Sequence, residues 1–227
     1  MKKITLLFLS FLFLATYSLQ AQKQFAGEIQ FKTKIEGTDD PNLLANVEDQ
    51  SIVISILGNK SKMFFNNEMV SVTNIWDGDK ETGFFVIEIM GMGKYYKKTT
   101  PEELKDKMKF LLHSFDYQNE FKEICGYKCQ KVVATVTNLE DDSTTETIFY
   151  VTKEIGAAKI NNNEYPGLEG FALMIMNPLP QFCDECMQTM EAVKITPKKI
   201  KDVDFLLPSD AKNIEDNPEL KEMLRIE

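Results

Sequence analysis

Residues 25–35 alternate without a break. Phe25, Gly27, Ile29, Phe31, Thr33 and Ile35 fall on one side, and Glu28, Gln30, Lys32, Lys34 and Glu36 on the other. A period of two with one apolar side marks a strand that buries one face and wets the other. Such a strand cannot stand alone; it needs neighbours and a cover for its apolar face.

The neighbours are supplied along most of the chain. Ile52, Ile54 and Ile56 repeat the pattern in residues 51–57, and Gly58-Asn59 punctuates it before residues 61–65. Asn66-Asn67 precedes residues 69–76, and Asp77-Gly78-Asp79 is a hairpin signal, because Asp-Gly readily supplies positive φ. Residues 83–90 and 94–97 flank the Gly91-Met92-Gly93 break. Further strands are expected at residues 120–124, 130–137, 145–151, 170–176, 189–196 and 203–207. One helix is clearly signalled. Thr100 can cap it, Pro101 suits its first turn and Glu103 completes a capping box. Leu104, Met108, Leu111 and Leu112 then carry helical spacing to about His113. Residues 42–50 could be a short helix or a loop, and residues 217–224 a closing helix. Strands dominate and most connections are too short for helical crossovers. The expected fold is therefore mainly β within the α+β class, an antiparallel sheet that must close, curl or be covered.

The first residues have another purpose. Lys2 and Lys3 precede an almost wholly apolar run, residues 4–15, and Ala21 follows a polar stretch. That run is short of the ~20 apolar residues of a membrane-spanning helix. Residues 1–21 read as a cleavable secretory signal, with Gln22 as the mature start and a soluble periplasmic or secreted product. No cysteine follows the cleavage point to take an acyl anchor, and no later stretch promises a stable membrane span. The remaining chain of about 206 residues suits one domain, residues 22–212, with a polar tail at 213–227. Losing the two signal lysines takes the net charge from −9 to −11. Nucleic acid is not an expected partner, since phosphate binding draws on clustered Lys and Arg.

Four cysteines form two close pairs, Cys125 with Cys129 and Cys183 with Cys186. An even count in an exported chain favours disulfides. A four-thiolate zinc site and a redox-active dithiol at Cys183 and Cys186 are the alternatives. Asp184 and Glu185 disfavour a thiolate between them. A local Cys125–Cys129 bond would need a turn at residues 126–128, because four residues of straight strand span ~13 Å. Cross-pairing of the two segments closes longer loops and is the favoured connectivity in the chain-entropy model.

No catalytic constellation emerges. His113 is the single histidine, and nothing marks a nucleophile beside it. Asp77 and Asp79 lack the further ligands of a calcium loop. Nothing singles out a catalytic pair among the 35 acidic residues. Met90, Met92, Met174, Met176, Met187 and Met190 read as adaptable core filling rather than a copper site. Beyond the zinc alternative at the cysteines, no metal or cofactor is expected.

Residues 123–131 (EICGYKCQK) resemble the I-x-G-Y-x-C-x-K strand of an uncharacterised family of exported proteins, itself similar to the lipoprotein-carrier (LolA/LolB-like) superfamily. Residues 198–209 (KKIKDVDFLLPS) resemble that family's closing strand, and residues 165–170 (YPGLEG) are similar to the L-P-G-L-I signature of a related secreted family. The pair Cys183 and Cys186 departs from that pattern. The resemblance implies a strongly curved antiparallel sheet, a half-open barrel with a few short helices over its concave face. It further implies a lipid or other hydrophobic small molecule as ligand. The cavity residues expected on this basis are Phe31, Ile35, Ile54, Trp76, Phe85 and Met174. Expressed in an export-competent host, the released protein is expected to begin at Gln22. N-terminal sequencing checks this, and a start at Met1 would contradict it.

Overall fold

The computed structural model describes residues 24–41, 44, 51–67 and 69–224. The signal segment therefore lies outside the described residues, and so does the 42–50 segment apart from Leu44, whose N–H donates to the Asp40 carbonyl at 3.1 Å.

Among the described residues twelve strands make one sheet. In chain order they are β1 (Ala26–Glu36), β2 (Ser51–Leu57), β3 (Lys60–Asn66), β4 (Val70–Asp77), β5 (Thr82–Ile89), β6 (Gly93–Thr99), β7 (Leu111–Ile124), β8 (Tyr127–Asn138), β9 (Thr144–Thr152), β10 (Phe171–Pro178), β11 (Met187–Pro197) and β12 (Lys212–Asn213). Their spatial order is β12-β6-β5-β4-β3-β2-β1-β11-β10-β9-β8-β7. All pairings are antiparallel except the two-residue match of β12 to β6. The protein is thus mainly β, and its sheet is open and mixed rather than a closed barrel. Helix α1 (Pro101–Met108) joins β6 to β7, and helix α2 (Pro218–Leu224) ends the described chain.

The sheet is rolled, and the chain itself requires it. β6 and β7 stand ten strand spacings apart in the order, ~48 Å if the sheet were flat. Between Thr99 and Leu111 the chain has only α1 and a few flanking residues, a reach of ~30 Å at most. The capping box that starts α1 is formed as its residues predict: Thr100 Oγ1 accepts from the Glu103 N–H at 3.2 Å, and Glu103 accepts from the Thr100 N–H at 2.7 Å. The helix stops at Met108, not at His113. From Leu111 onward the alternation of period two takes over, and His113 belongs to a fourteen-residue β7 whose start was not expected before residue 120.

The inner face collects most of the apolar side chains of the strands. Ile29 and Phe31 are fully buried there, with Ile54, Ile56 and Ala192 against them. Burying a side chain of that size stabilises by about 1.5–3 kcal/mol. Val132, Ala134 and Phe149 continue the core toward β7. At the other end of the sheet, Ile214 and Leu220 from the C-terminal segment cover Val72, Ile87 and Tyr95. This polar-looking tail is anchored by those two side chains, which are 0 % and 2 % exposed.

Residues 198–211 run over the outer face, where Ile200 and Phe205 pack on Ile75 and half-buried Phe84. The strand expected at 203–207 is a 3₁₀ turn, Asp202–Phe205. The Asp204 carboxylate accepts the Lys201 N–H at 2.8 Å, a local bond that competes with extended pairing. β12 then carries the chain round the β6 edge to the inner side. Leu220→Ala is expected to cost about 2–4 kcal/mol, measured by urea unfolding. A loss within 0.5 kcal/mol, roughly the surface-substitution level, would mean that the tail is not part of the core.

Candidate functional site

The inner face carries a cavity of about 200 Å³. One wall comes from β1 to β4: Phe31, Ile54, Met63 and Trp76. The opposite wall comes from β9 to β11: Phe149, Ala172, Ile175 and Met190. Register explains the selection. Ile54 stands opposite Met63, Met63 opposite Asn74, and Ile175 opposite both Phe149 and Met190, so all share the inner face. Trp76 and Phe149 lie six strand spacings apart, ~29 Å on a flat sheet, yet they line one cavity. Rolling is what brings them together.

The roof is the connection between β9 and β10, which includes the 3₁₀ turn Ala158–Asn163. Ile160, Asn161 and Tyr165 from it line the cavity. It is fastened to both walls. On the β4–β5 side, Lys159 Nζ lies 2.9 Å from Asp79 Oδ1, and the Trp76 indole N–H reaches the Lys159 carbonyl at 3.5 Å. The Lys159 hydrogen bond holds Asp79 below its ordinary pKa, and the same bond raises Lys159. On the β7–β9 side, His113 Nε2 meets the Glu164 carbonyl at 3.0 Å, and Tyr117 Oη accepts the Glu169 N–H at 2.7 Å. The Tyr165 hydroxyl sits 3.1 Å from Thr147 Oγ1, which donates to Asn177 Oδ1 at 3.0 Å. Burial pushes the Tyr165 phenol up, so it stays protonated at neutral pH. Within the roof, Asn161 Nδ2 donates to the Leu168 and Gly170 carbonyls at 3.1 and 2.8 Å.

Gly78 shows how closely roof and wall approach. A Cβ there would lie 2.3 Å from the Lys159 carbonyl oxygen. The Asp77-Gly78-Asp79 signal was expected to make a tight hairpin through a positive φ at glycine. Instead β4 and β5 are joined by residues 78–81, and positive φ falls on Glu81 at 52°. Gly78 is required because its missing side chain leaves room for the roof.

The expected cavity residues divide. Phe31, Ile54 and Trp76 line the cavity. Ile35 is half-buried farther along the inner side of β1 and does not reach it. Phe85 packs in the cluster under the C-terminal segment. Met174 stands opposite Tyr150 and Glu191 on the outer side, with Lys122 Nζ 3.4 Å from its sulfur. A bulge between Ala172 and Met174 shifts the alternation there, turning Ala172 and Ile175 inward. The roof residues carry no periodic signal, and sequence patterning missed them.

The cysteines also divide. Cys183 and Cys186 form a disulfide, with S–S 2.06 Å, while Cys125 and Cys129 are free. Cross-pairing is not what the fold adopts. Cys183 and Cys186 sit in the short link between β10 and β11, where a turn brings their Cα atoms to 5.2 Å. Cys125 and Gly126 form the two-residue β7–β8 turn, with φ of 52° and 84°. The disulfide takes two thiolates from the four-cysteine zinc arrangement, and among the described residues no group of three His, Cys, Asp or Glu side chains is placed to hold a metal. Burial pushes the Cys129 thiol up to about 11 and raises Cys125 as well, with Glu191 adding to the latter. A raised pKa disfavours the nucleophilic thiolate.

No family model matches this chain, and no curated protein matches it. Brief alkylation of the native protein at pH 8 is expected to label Cys125, which is exposed, and to reach Cys129 only after denaturation. Peptide mass mapping without reductant checks both this and the Cys183–Cys186 link.

Proposed function

We propose that this chain is an exported, non-enzymatic binding protein of the cell envelope that shelters a hydrophobic ligand, a lipid or a small molecule, on the inner face of its sheet. The observation that carries the reading is the roofed apolar cavity bounded by Phe31, Trp76, Phe149 and Met190. Concave, mostly apolar sites with a few polar groups are the usual form of small-molecule sites. The resemblance of residues 123–131 and 198–209 to exported proteins similar to the lipoprotein carriers, and of residues 165–170 to a related secreted family, agrees with it. The export reading of residues 1–21 places such a cavity where apolar cargo must cross water. Among the described residues no helix is long and apolar enough to cross a membrane.

A structural or protein-interaction role is the second reading, and one observation favours it. β7 ends the sheet with one side unpaired among the described residues, and it exposes Leu112 (59 %) and Phe121 (46 %). An edge of that kind can accept a strand from another chain.

The ligand reading is tested with mature protein from the envelope, by native mass spectrometry and by binding of a hydrophobic fluorescent probe. Co-purifying apolar material or saturable probe binding is expected. Met190→Trp, which fills the cavity, should weaken the probe at least about tenfold, the cost of losing ~1.4 kcal/mol of apolar contact, while circular dichroism stays native. Absence of both ligand and probe binding would defeat the reading.

A further inference from the structure

Resting on that ligand-binding reading, we infer that the cavity selects a compact, uncharged, ring-sized amphiphile whose single hydrogen-bonding group lies against Ser61 and Asn74.

Size is the first reason. The cavity holds about 200 Å³. An engineered apolar cavity of about 150 Å³ takes benzene, and pockets for drug-sized ligands begin at about 300 Å³. Scaling between them leaves room for roughly eight to ten non-hydrogen atoms. A long acyl chain exceeds that and would leave most of its length outside the opening. Aromatic side chains stand on opposite walls, Trp76 on β4 and Phe149 on β9, with the Tyr165 ring edge-on to Phe149 at 4.8 Å. Flat faces of this kind suit a ring.

Polarity is the second reason. Ser61 is only 7 % exposed and lines the cavity beside half-buried Asn74. Ser61 stands opposite Trp76, and Asn74 lies two residues from Trp76 on the same face, so the two are diagonal neighbours. Diagonal pairs sit ~7–8 Å apart at Cα, close enough for one ligand group to meet both side chains. Neither side chain makes a hydrogen bond to any described residue. Sealed side-chain oxygens without a partner belong to Thr33 and Thr189; the polar atoms of Ser61 and Asn74 open onto the cavity, where water or a ligand group meets them. An amide and a hydroxyl each offer a donor and an acceptor, which fits a ligand hydroxyl or carbonyl.

Charge is the third reason. Among the described residues the lining contains no Lys or Arg. Its ionisable members are Glu164, which is exposed, and Tyr165, whose hydroxyl is engaged with Thr147. A carboxylate or phosphate placed here would lose water without gaining a cation. The cavity thus excludes ionised fatty acids and favours a neutral alcohol, ketone or ester of one ring.

The test titrates the mature protein with benzyl alcohol, toluene, benzoate and palmitate, using saturation-transfer NMR and calorimetry. Benzyl alcohol is expected to bind about tenfold more tightly than toluene, one hydrogen bond's difference near a buried group. Benzoate is expected not to compete. In Ser61→Ala with Asn74→Leu, toluene should still bind and the preference for the alcohol should vanish. If the double variant does not fold, Ser61→Ala alone reads the same difference. Tight palmitate or benzoate binding, or an alcohol preference that survives the variants, overturns this inference and leaves a hydrophobic-ligand protein standing. Failure of all four probes overturns this inference, while the hydrophobic-ligand reading stands or falls on the native mass spectrum and the fluorescent probe.

Discussion

A sheet with one continuous apolar face has to hide that face, and among the described residues no second sheet hides it. The inner sides of β1 to β11 carry Ile29, Phe31, Ile54, Ile56, Val72, Ile87, Val132 and Phe149, all buried. Rolling the sheet lets the face cover itself. The short β6–β7 connection through α1 imposes the same curvature from outside, because its reach is well below the width of a flat sheet. Local chain length and burial of apolar surface therefore demand one shape, a consistency expected of a foldable sequence.

Rolling without closure leaves openings, and two chain segments fill them. The C-terminal segment crosses from outer to inner face at the β6 edge and plugs one end with Ile214 and Leu220. The β9–β10 connection roofs the other end and is tied to both walls by short polar contacts. The plug packs directly on the sheet. The roof spans a gap between Trp76 and Phe149 and leaves a cavity beneath it. The same constraint that makes the core thus makes the candidate site.

Strand positions were largely legible, because a half-buried strand writes its period of two into the chain; residues 25–35 and 51–57 show it. The capping box at Thr100 was legible for a similar reason, since its two hydrogen bonds are three residues apart. The ends of elements were less so. Leu111 and Leu112 fit both a helical and a strand reading, and only pairing with β8 settles β7. The strand expected at 203–207 failed because Phe205 alone of its apolar residues is buried, against a sheet face and not a strand neighbour, while Val203 and Leu206 stay exposed.

By itself the sequence determined that strands dominate, which side of each is apolar and where the helix α1 begins, because these follow from contacts within a few residues. Of the site it determined that aromatic and branched residues such as Phe31, Ile54 and Trp76 face inward. Only the tertiary structure decided which inward residues meet. The bulge before Met174 moved it to the outer face, and the roof brought Tyr165 and Asn161 to the cavity from a segment with no periodicity. It also decided the cysteines, pairing Cys183 with Cys186 across a turn and leaving Cys125 in a hairpin. Sequence spacing constrains what a single element can do; distances between elements are set by how the sheet rolls, and that is a property of the whole chain.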